Sequence, residues 1–254
     1  MGEFGQVVVA PGIGDIKPAF ADRGMPFSHD DELSTPYYYK VTMDAGKNRE
    51  IVAETTATSR VGSLRFTFDG DSAPHIIIQA TRETIEGEIN ISPETREISG
   101  RNPERQDYKL GPFKAKNFNG YFVARFDQEF SAWGTASNGT LHENRTSMTS
   151  TDLSAYAQFA EKTRHVSVRV GVSFISVDQA RKNLDSEIPD GTSLEHTSLQ
   201  IESLWAEKLD RVKVEGATKD QLTILYTGMF HSLQVSTIAC LSLFSPCHKT
   251  FGVH

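Results

Sequence analysis

Short runs in which apolar and polar residues alternate fill the first two thirds of this chain. They restrict that part to an all-β arrangement, a sandwich or a barrel. Residues 37–43 (YYYKVTM) alternate and are rich in aromatic rings. Residues 50–58 follow a Gly46-Lys47-Asn48 turn, which predicts a hairpin. Residues 61–68 (VGSLRFTF) place Leu64, Phe66 and Phe68 on one face, and residues 84–91 do the same with Ile85, Ile89 and Ile91. The β-branched run at 75–80 (HIIIQA) reads as a strand buried on both faces. Residues 120–130 and 166–174 (VSVRVGVSF) complete the set, with Gly, Pro, Asn or Asp at the breaks.

The texture changes at Ser176. Val177, Ala180 and Leu184 have helical spacing, and Pro189-Asp190-Gly191 ends that helix. A second helix over 193–208 carries Leu194, Leu199, Ile201, Leu204 and Trp205 as its apolar positions. Thr218 with Asp220 and Gln221 predicts the start of a third, continued by Leu222, Leu225, Tyr226, Met229, Phe230 and Leu233. Residues 235–254 carry one basic residue, Lys249, no acidic residue and no clear periodicity. That segment reads either as a frayed terminus or as sequence foreign to the fold. The expected division is a β domain over 1–176, a helical linker over 177–217, a first helix of a larger helical domain over 218–234, and an atypical tail over 235–254.

A hydrophobic fraction of 38% in 254 residues is enough to build a core, so global disorder is excluded. Net charge of −7 and a pI of 5.6 give no sign of a nucleic-acid partner, which needs a basic surface. No stretch of about 18 uncharged apolar residues predicts a membrane span. The two cysteines, Cys240 and Cys247, leave residues 1–239 to fold without a disulfide. Residues 1–5 lack the basic and apolar regions of a signal peptide, and a start inside a longer gene product would hide a leader.

Five stretches in collinear order resemble glycoside hydrolase family 92, a family of α-mannosidases. They are residues 26–39 (PFSHDDELSTPYYY), residues 54–62 (ETTATSRVG), residues 168–181 (VRVGVSFISVDQAR) with Asn183-Leu184, residues 205–209 (WAEKL), and residues 225–233 (LYTGMFHSL). The chain departs from the family pattern at Tyr37, where the family has Gly, and after Leu233, where the family continues into an Asp- and Gly-rich stretch.

The resemblance implies a supersandwich similar to the galactose-mutarotase fold, followed by linker helices and the start of an (α/α)6 barrel. It also implies a calcium-dependent, inverting exo-α-mannosidase that removes mannose from N-glycans. Inversion takes one carboxylic acid to protonate the leaving oxygen and one carboxylate to activate water. In the family these groups and most calcium ligands come from the barrel. The expectation is therefore that this chain carries no catalytic residue, binds no calcium itself, and is inactive without its barrel partner. Mannose-containing glycans are the expected ligands, and neither nucleic acid nor membrane is an expected partner. The parent enzyme is expected to be secreted.

Candidate substrate-binding residues are His29, Asp30 and Glu32 with Asp31, a polar cluster that reads as a loop before a strand, and Trp133. The cluster could contact sugar or a domain interface, or could be a solvated turn ordering the Pro36 corner. Trp133 could stack on a sugar or pack in the sheet. Arg60 is expected in a structural ion pair with Glu54 or Glu50. Trp205 is expected in a core, and His231 reads as an interface or core residue. Asn90, Asn138 and Asn144 each begin an Asn-X-Ser/Thr acceptor triplet. The alternatives to a glycosidase domain are a stand-alone carbohydrate-binding or interaction module and an aldose-mutarotase-type enzyme. For the latter, His75, His142 and His165 show no acid–base pairing by spacing.

Overall fold

A computed structural model of the chain describes residues 7–82, 85–104 and 117–243, with residues 234–243 as backbone alone. It divides into two compact units, Met1–Leu199 and Gln200–His254.

The first unit is a sandwich of two antiparallel sheets. Its strands are β1 (Val8–Ile13), β2 (Phe27–Ser34), β3 (Tyr39–Gly46), β4 (Arg49–Ala57), β5 (Val61–Phe68), β6 (Pro74–Gln79) and β7 (Gly87–Ser92). They continue with β8 (Glu97–Asn102), β9 (Gly120–Phe126), β10 (Ala132–Ser137), β11 (Thr140–Glu143), β12 (Ser147–Ser150), β13 (Leu153–Gln158) and β14 (His165–Ser173). One sheet has the order β1-β6-β13-β10-β11, and the other has the order β12-β7-β8-β9-β14-β5-β4-β3-β2. Between them lie Ile51, Phe66, Phe68, Ile76, Ile78, Ile89, Ile98, Phe122, Phe126, Leu153, Phe159 and Val168, all buried.

The predicted pairings follow from local chemistry. Lys47 and Asn48 both adopt left-handed φ, at 57° and 56°, which gives the tight turn joining β3 and β4 a twist that matches its strands. Every residue of β6 is buried. Ile76 and Ile78 enter the shared core, while Ile77 faces the other way. Burying each isoleucine contributes about 1.5–3 kcal/mol.

The polar cluster at 29–32 is not a loop before a strand. It lies within β2, the outermost strand of the larger sheet, where the register with β3 shifts between Phe27 and Glu32. A strand with one open edge and two solvated faces can be almost wholly polar, so alternation does not reveal it.

Helix α1 (Val177–Glu187) lies across β9 and β14 on the outer face of the larger sheet. Ser176 caps it, its hydroxyl accepting from the Gln179 amide at 3.1 Å. Ala180, Leu184 and Ile188 pack on Val61 and Val123. Gly171 permits this approach. A Cβ there would lie 2.8 Å from Leu184 Cβ and well inside van der Waals contact with the Ala180 carbonyl oxygen. The helix predicted as part of a linker is thus integral to the sandwich. Arg60 does form a structural ion pair, but with Glu187 on α1 at 2.5 Å, while Glu54 is held by Arg65.

Helix α2 (Leu194–Leu209) begins in the first unit, and α3 (Lys219–Leu243) lies in the second. Thr218 and Gln221 form the predicted reciprocal cap: the Thr218 amide donates to Gln221 Oε1 at 2.9 Å, and the Gln221 amide to Thr218 Oγ1 at 3.3 Å. Trp205 stacks against Phe230 with ring centroids 4.9 Å apart and is half-buried, and His231 is exposed. None of residues 200–233 is buried. The helix continues to Leu243, through the point at 235 where the texture changes, and residues 244–254 lie outside the described residues. Among the described residues no helix is long and apolar enough to cross a membrane.

Candidate functional site

A network of linked charges lies on the outer face of the nine-stranded sheet, beside the connection from α1 to α2. Glu54 on β4 faces Arg65 on β5, and Arg125 on β9 faces both Glu97 on β8 and Arg169 on β14. Arg125 opposite Arg169 is a like-charge pair, unfavourable alone. Asp190 resolves it by accepting from Arg125 at 3.2 Å and from Arg169. Arg65 binds Glu54 through two parallel bonds of 2.8 Å, the bidentate geometry that suits guanidinium and carboxylate, and also reaches Glu195 at 2.5 Å. Glu97, only 6% exposed, receives Arg125 at 2.6 Å and Arg181 at 3.1 Å. These bonds tie residues 188–195 to the sheet and border a cleft of about 390 Å³.

The electrostatics of this cleft decide what it can do. The Arg65 guanidinium holds the Glu54 carboxyl below its ordinary range. Arg169 does the same for Asp190, and Glu195 is lowered by its own backbone amide and then by Arg65. Burial pushes the Tyr38 phenol up to about 12, helped by its hydrogen bond to Glu54. All three carboxyls stay ionised at neutral pH. A glycosidase acid needs the opposite shift, a carboxyl kept protonated. The arginine-bound carboxylates in and beside the cleft therefore supply ordered charge and positioning rather than a protonated carboxyl.

The sequence-predicted residues fall in two separate places. On β2, His29 Nδ1 lies 2.6 Å from Glu32 Oε2, and the His29 ring meets Phe27 edge-on at 5.4 Å. A hydrogen bond from Tyr39, then one from His29, lowers the Glu32 carboxyl. Asp30 is exposed, and its amide donates to Ser28 Oγ at 3.2 Å. His29 and half-buried Glu32 thus pair beside the Phe27 ring, with exposed Asp30 between them in the chain. Trp133 is on β10, opposite Ala157, and it packs against the sandwich core. Its indole Nε1 is buried without a hydrogen-bond partner. Strand β10 contacts β12, at the opposite end of the larger sheet from β2. The structure does not bring Trp133 together with His29, Asp30 and Glu32.

A second cleft, also about 390 Å³, contains His75 with Asp15, Lys17, Arg23 and Arg49. Arg23 covers the outer face of the smaller sheet, donating to Gln79 Oε1 at 2.5 Å, to Ser154 Oγ at 3.3 Å and to the Pro18 carbonyl. The His75 ring lies against Gly12, its strand partner on β1, where any Cβ would collide with Nε2 and Cε1. Burial, then the nearby Arg23 charge, lowers the imidazole to about 4. Sequence reasoning missed both clefts. The signal for the first was present: Arg65, Arg125 and Arg169 are each the only Arg, Lys, Asp or Glu of their strand.

Among the described residues no group of three or more His, Cys, Asp or Glu side chains could hold a metal ion.

Comparison with known proteins places this geometry. The model of the glycosyl hydrolase family 92 N-terminal domain matches residues 1–173, and that of the family 92 catalytic domain matches residues 179–240. An uncharacterized secreted glycosidase of Arthroderma benhamiae is 26% identical over 222 residues, covering 76% of this chain and 27% of that protein. The family GH92 inverting mannosidase of Bacteroides thetaiotaomicron superposes with a TM-score of 0.80 at 28% identity, covering 91% of this chain and 30% of that one. A GH92 α-mannosidase of the same organism, in complex with mannoimidazole, gives 0.73 at 23% identity over 90% and 31%. The chain thus spans about 30% of the length of the first structure, and its two-sheet unit lies under the N-terminal match. By these matches, this chain belongs to glycosyl hydrolase family 92.

Proposed function

We propose that this chain is the carbohydrate-contacting N-terminal part of a secreted, calcium-dependent, inverting exo-α-mannosidase acting on N-glycan mannose, and that it does not hydrolyse alone. The observation that carries the reading is the collinear match to both family domains together with the superposition on an inverting mannosidase. Inactivity alone is supported by the charged cleft, whose carboxyls Glu54, Asp190 and Glu195 are arginine-bound anions. The acid, the base and the calcium ligands would then come from other parts of the longer protein.

His29, Asp30 and Glu32 are the residues we assign to glycan contact. They combine exposed donors and acceptors with the Phe27 ring, the pairing that sugar hydroxyls and apolar sugar faces require. The test is mannose release from α-1,2-linked mannobiose with calcium present, by this chain alone and by a version extended through the barrel. We expect release only from the extended protein. Turnover by the chain alone would sink the inactivity reading. For contact, Glu32→Gln and His29→Ala should weaken binding of a mannose-containing glycan. Unchanged binding would remove these residues from the site.

A further inference from the structure

The three Asn-X-Ser/Thr triplets converge on one corner of the sandwich that none of the roles above uses. Asn138 and Gly139 form the two-residue turn between β10 and β11, both in left-handed conformation at φ 50° and 74°. Asn144, at φ 57°, follows β11 and precedes β12. Asn138, Thr140, Asn144 and Thr146 are all exposed. The Asn144 backbone amide donates to the Trp133 carbonyl at 2.9 Å, while neither asparagine's side-chain amide has a hydrogen-bond partner among the described residues. A Cβ added at Gly139 would meet nothing within 4 Å, so the hairpin tip stands in open space. Asn90 lies nearby on β7, opposite Ser147 of β12, but its amide donates to Glu88 at 3.2 Å and its neighbours Ile89 and Ile91 are buried.

Both sheets end at this corner. Strand β11 is one of the two edge strands of the smaller sheet, and β12 is the edge strand of the larger sheet opposite β2. Each is four residues long and leaves one backbone edge unpaired by sheet. Open edges template pairing with other chains unless something covers them.

We propose that Asn138 and Asn144 are N-glycosylation sites, and that their glycans shield the adjacent open edges of the two sheets. The co-substrate is a polyprenyl-diphosphate-linked oligosaccharide. The asparagine amide nitrogen forms a bond to C1 of its reducing sugar. The bond from C1 to the diphosphate oxygen breaks, its electron pair leaves on the phosphate, and one amide proton passes to a base. The threonine hydroxyl two residues on completes each acceptor. In left-handed turns at the tips of short strands, the modified side chains project without displacing packed neighbours. Asn90, held in mid-strand, is not assigned. An occupied Asn138 or Asn144 also requires that any further domain of a longer protein leave this corner open.

The proposal rests on a secretory route, so the test supplies one and is independent of the mannosidase reading. The 254-residue chain is expressed behind a cleavable leader in a eukaryotic host, with a known acceptor protein as control. Leader-cleaved material from cells and medium is treated with peptide N-glycosidase, which leaves aspartate at occupied positions, and mapped by peptide mass spectrometry. Conversion at 138 and 144 is expected, with Thr140→Ala and Thr146→Ala each abolishing its own site. Unconverted asparagine at both positions, beside a modified control, overturns the assignment. Glycan removal from folded protein should then accelerate aggregation measured by light scattering, and unchanged rates would refute the shielding role.

Discussion

His75 offers a direct measurement of what this interior costs a charge. Its ring is 3% exposed, Nδ1 has no partner, Gly12 backs it, and Lys17 and Arg23 share its cleft. Burial lowers the imidazole from 6.5 to about 4. The unfolded chain takes up the proton near pH 6.5 and the folded chain only near 4, so between them the unfolded state binds more protons. Stability from this group is therefore complete above pH 6.5 and falls as pH falls toward 4. At about 1.4 kcal/mol for each pH unit of separation, the full loss is about 3 kcal/mol, of which about 2 is gone at pH 5. The carboxyls of Glu54, Asp190 and Glu195 are shifted below their ordinary range, so their contribution is lost at lower pH and leaves this window to the imidazole. Urea unfolding at pH 7, 6 and 5, followed by circular dichroism, reads the slope. His75→Gln should lower stability at pH 7 and flatten the slope between 7 and 5. A variant that keeps the parent's slope would refute the placement of a neutral, desolvated imidazole at this position.

Two further perturbations test the packing around the clefts. Arg125→Ala leaves Glu97, 6% exposed, with Arg181 alone, leaves Asp190 with Arg169 alone, and removes the ion-pair partner of Asp185. It should cost about 3 kcal/mol in urea unfolding, and a cost below about 1 would show that the weave contributes no more than a surface pair. Gly12→Ala forces a methyl group into the His75 ring. The expected cost is about 1–3 kcal/mol, and an unchanged thermal midpoint would mean that the ring is free to move aside.

What the sequence revealed and hid follows the same physics. Strands β5, β6 and β14 were legible because their inward residues are large: Phe66 and Phe68, Ile76 and Ile78, Val166, Val168 and Val170. Strands β10 and β13 were not, because Ala132–Ser137 and Leu153–Gln158 bury small and hydroxylated residues such as Thr135, Ala136, Ser154 and Ala155, which leave no amphipathic signature. The Asn138-Gly139 turn was the available clue to the β10–β11 hairpin. The charged cleft was hidden for a different reason. Its partners lie far apart in the chain, Arg65 reaching Glu195 and Arg181 reaching Glu97, and no local window contains both members. Arg60 shows the same limit: its ionic role was readable, while its partner, 127 residues away, was not.

Gly171 sets the spacing between helix and sheet by an atom it does not have. The groups waiting at that vacancy include helix backbone, the Ala180 carbonyl and the Leu184 amide, and they cannot rotate out of the way. A bulkier residue would have to lift α1 as a rigid rod. The damage would then surface at the far end of that rod, where Glu187 grips Thr58 and Arg60. A lesion at 171 should thus announce itself one to two helical turns along α1 from the point of contact, in a salt link in which residue 171 takes no part.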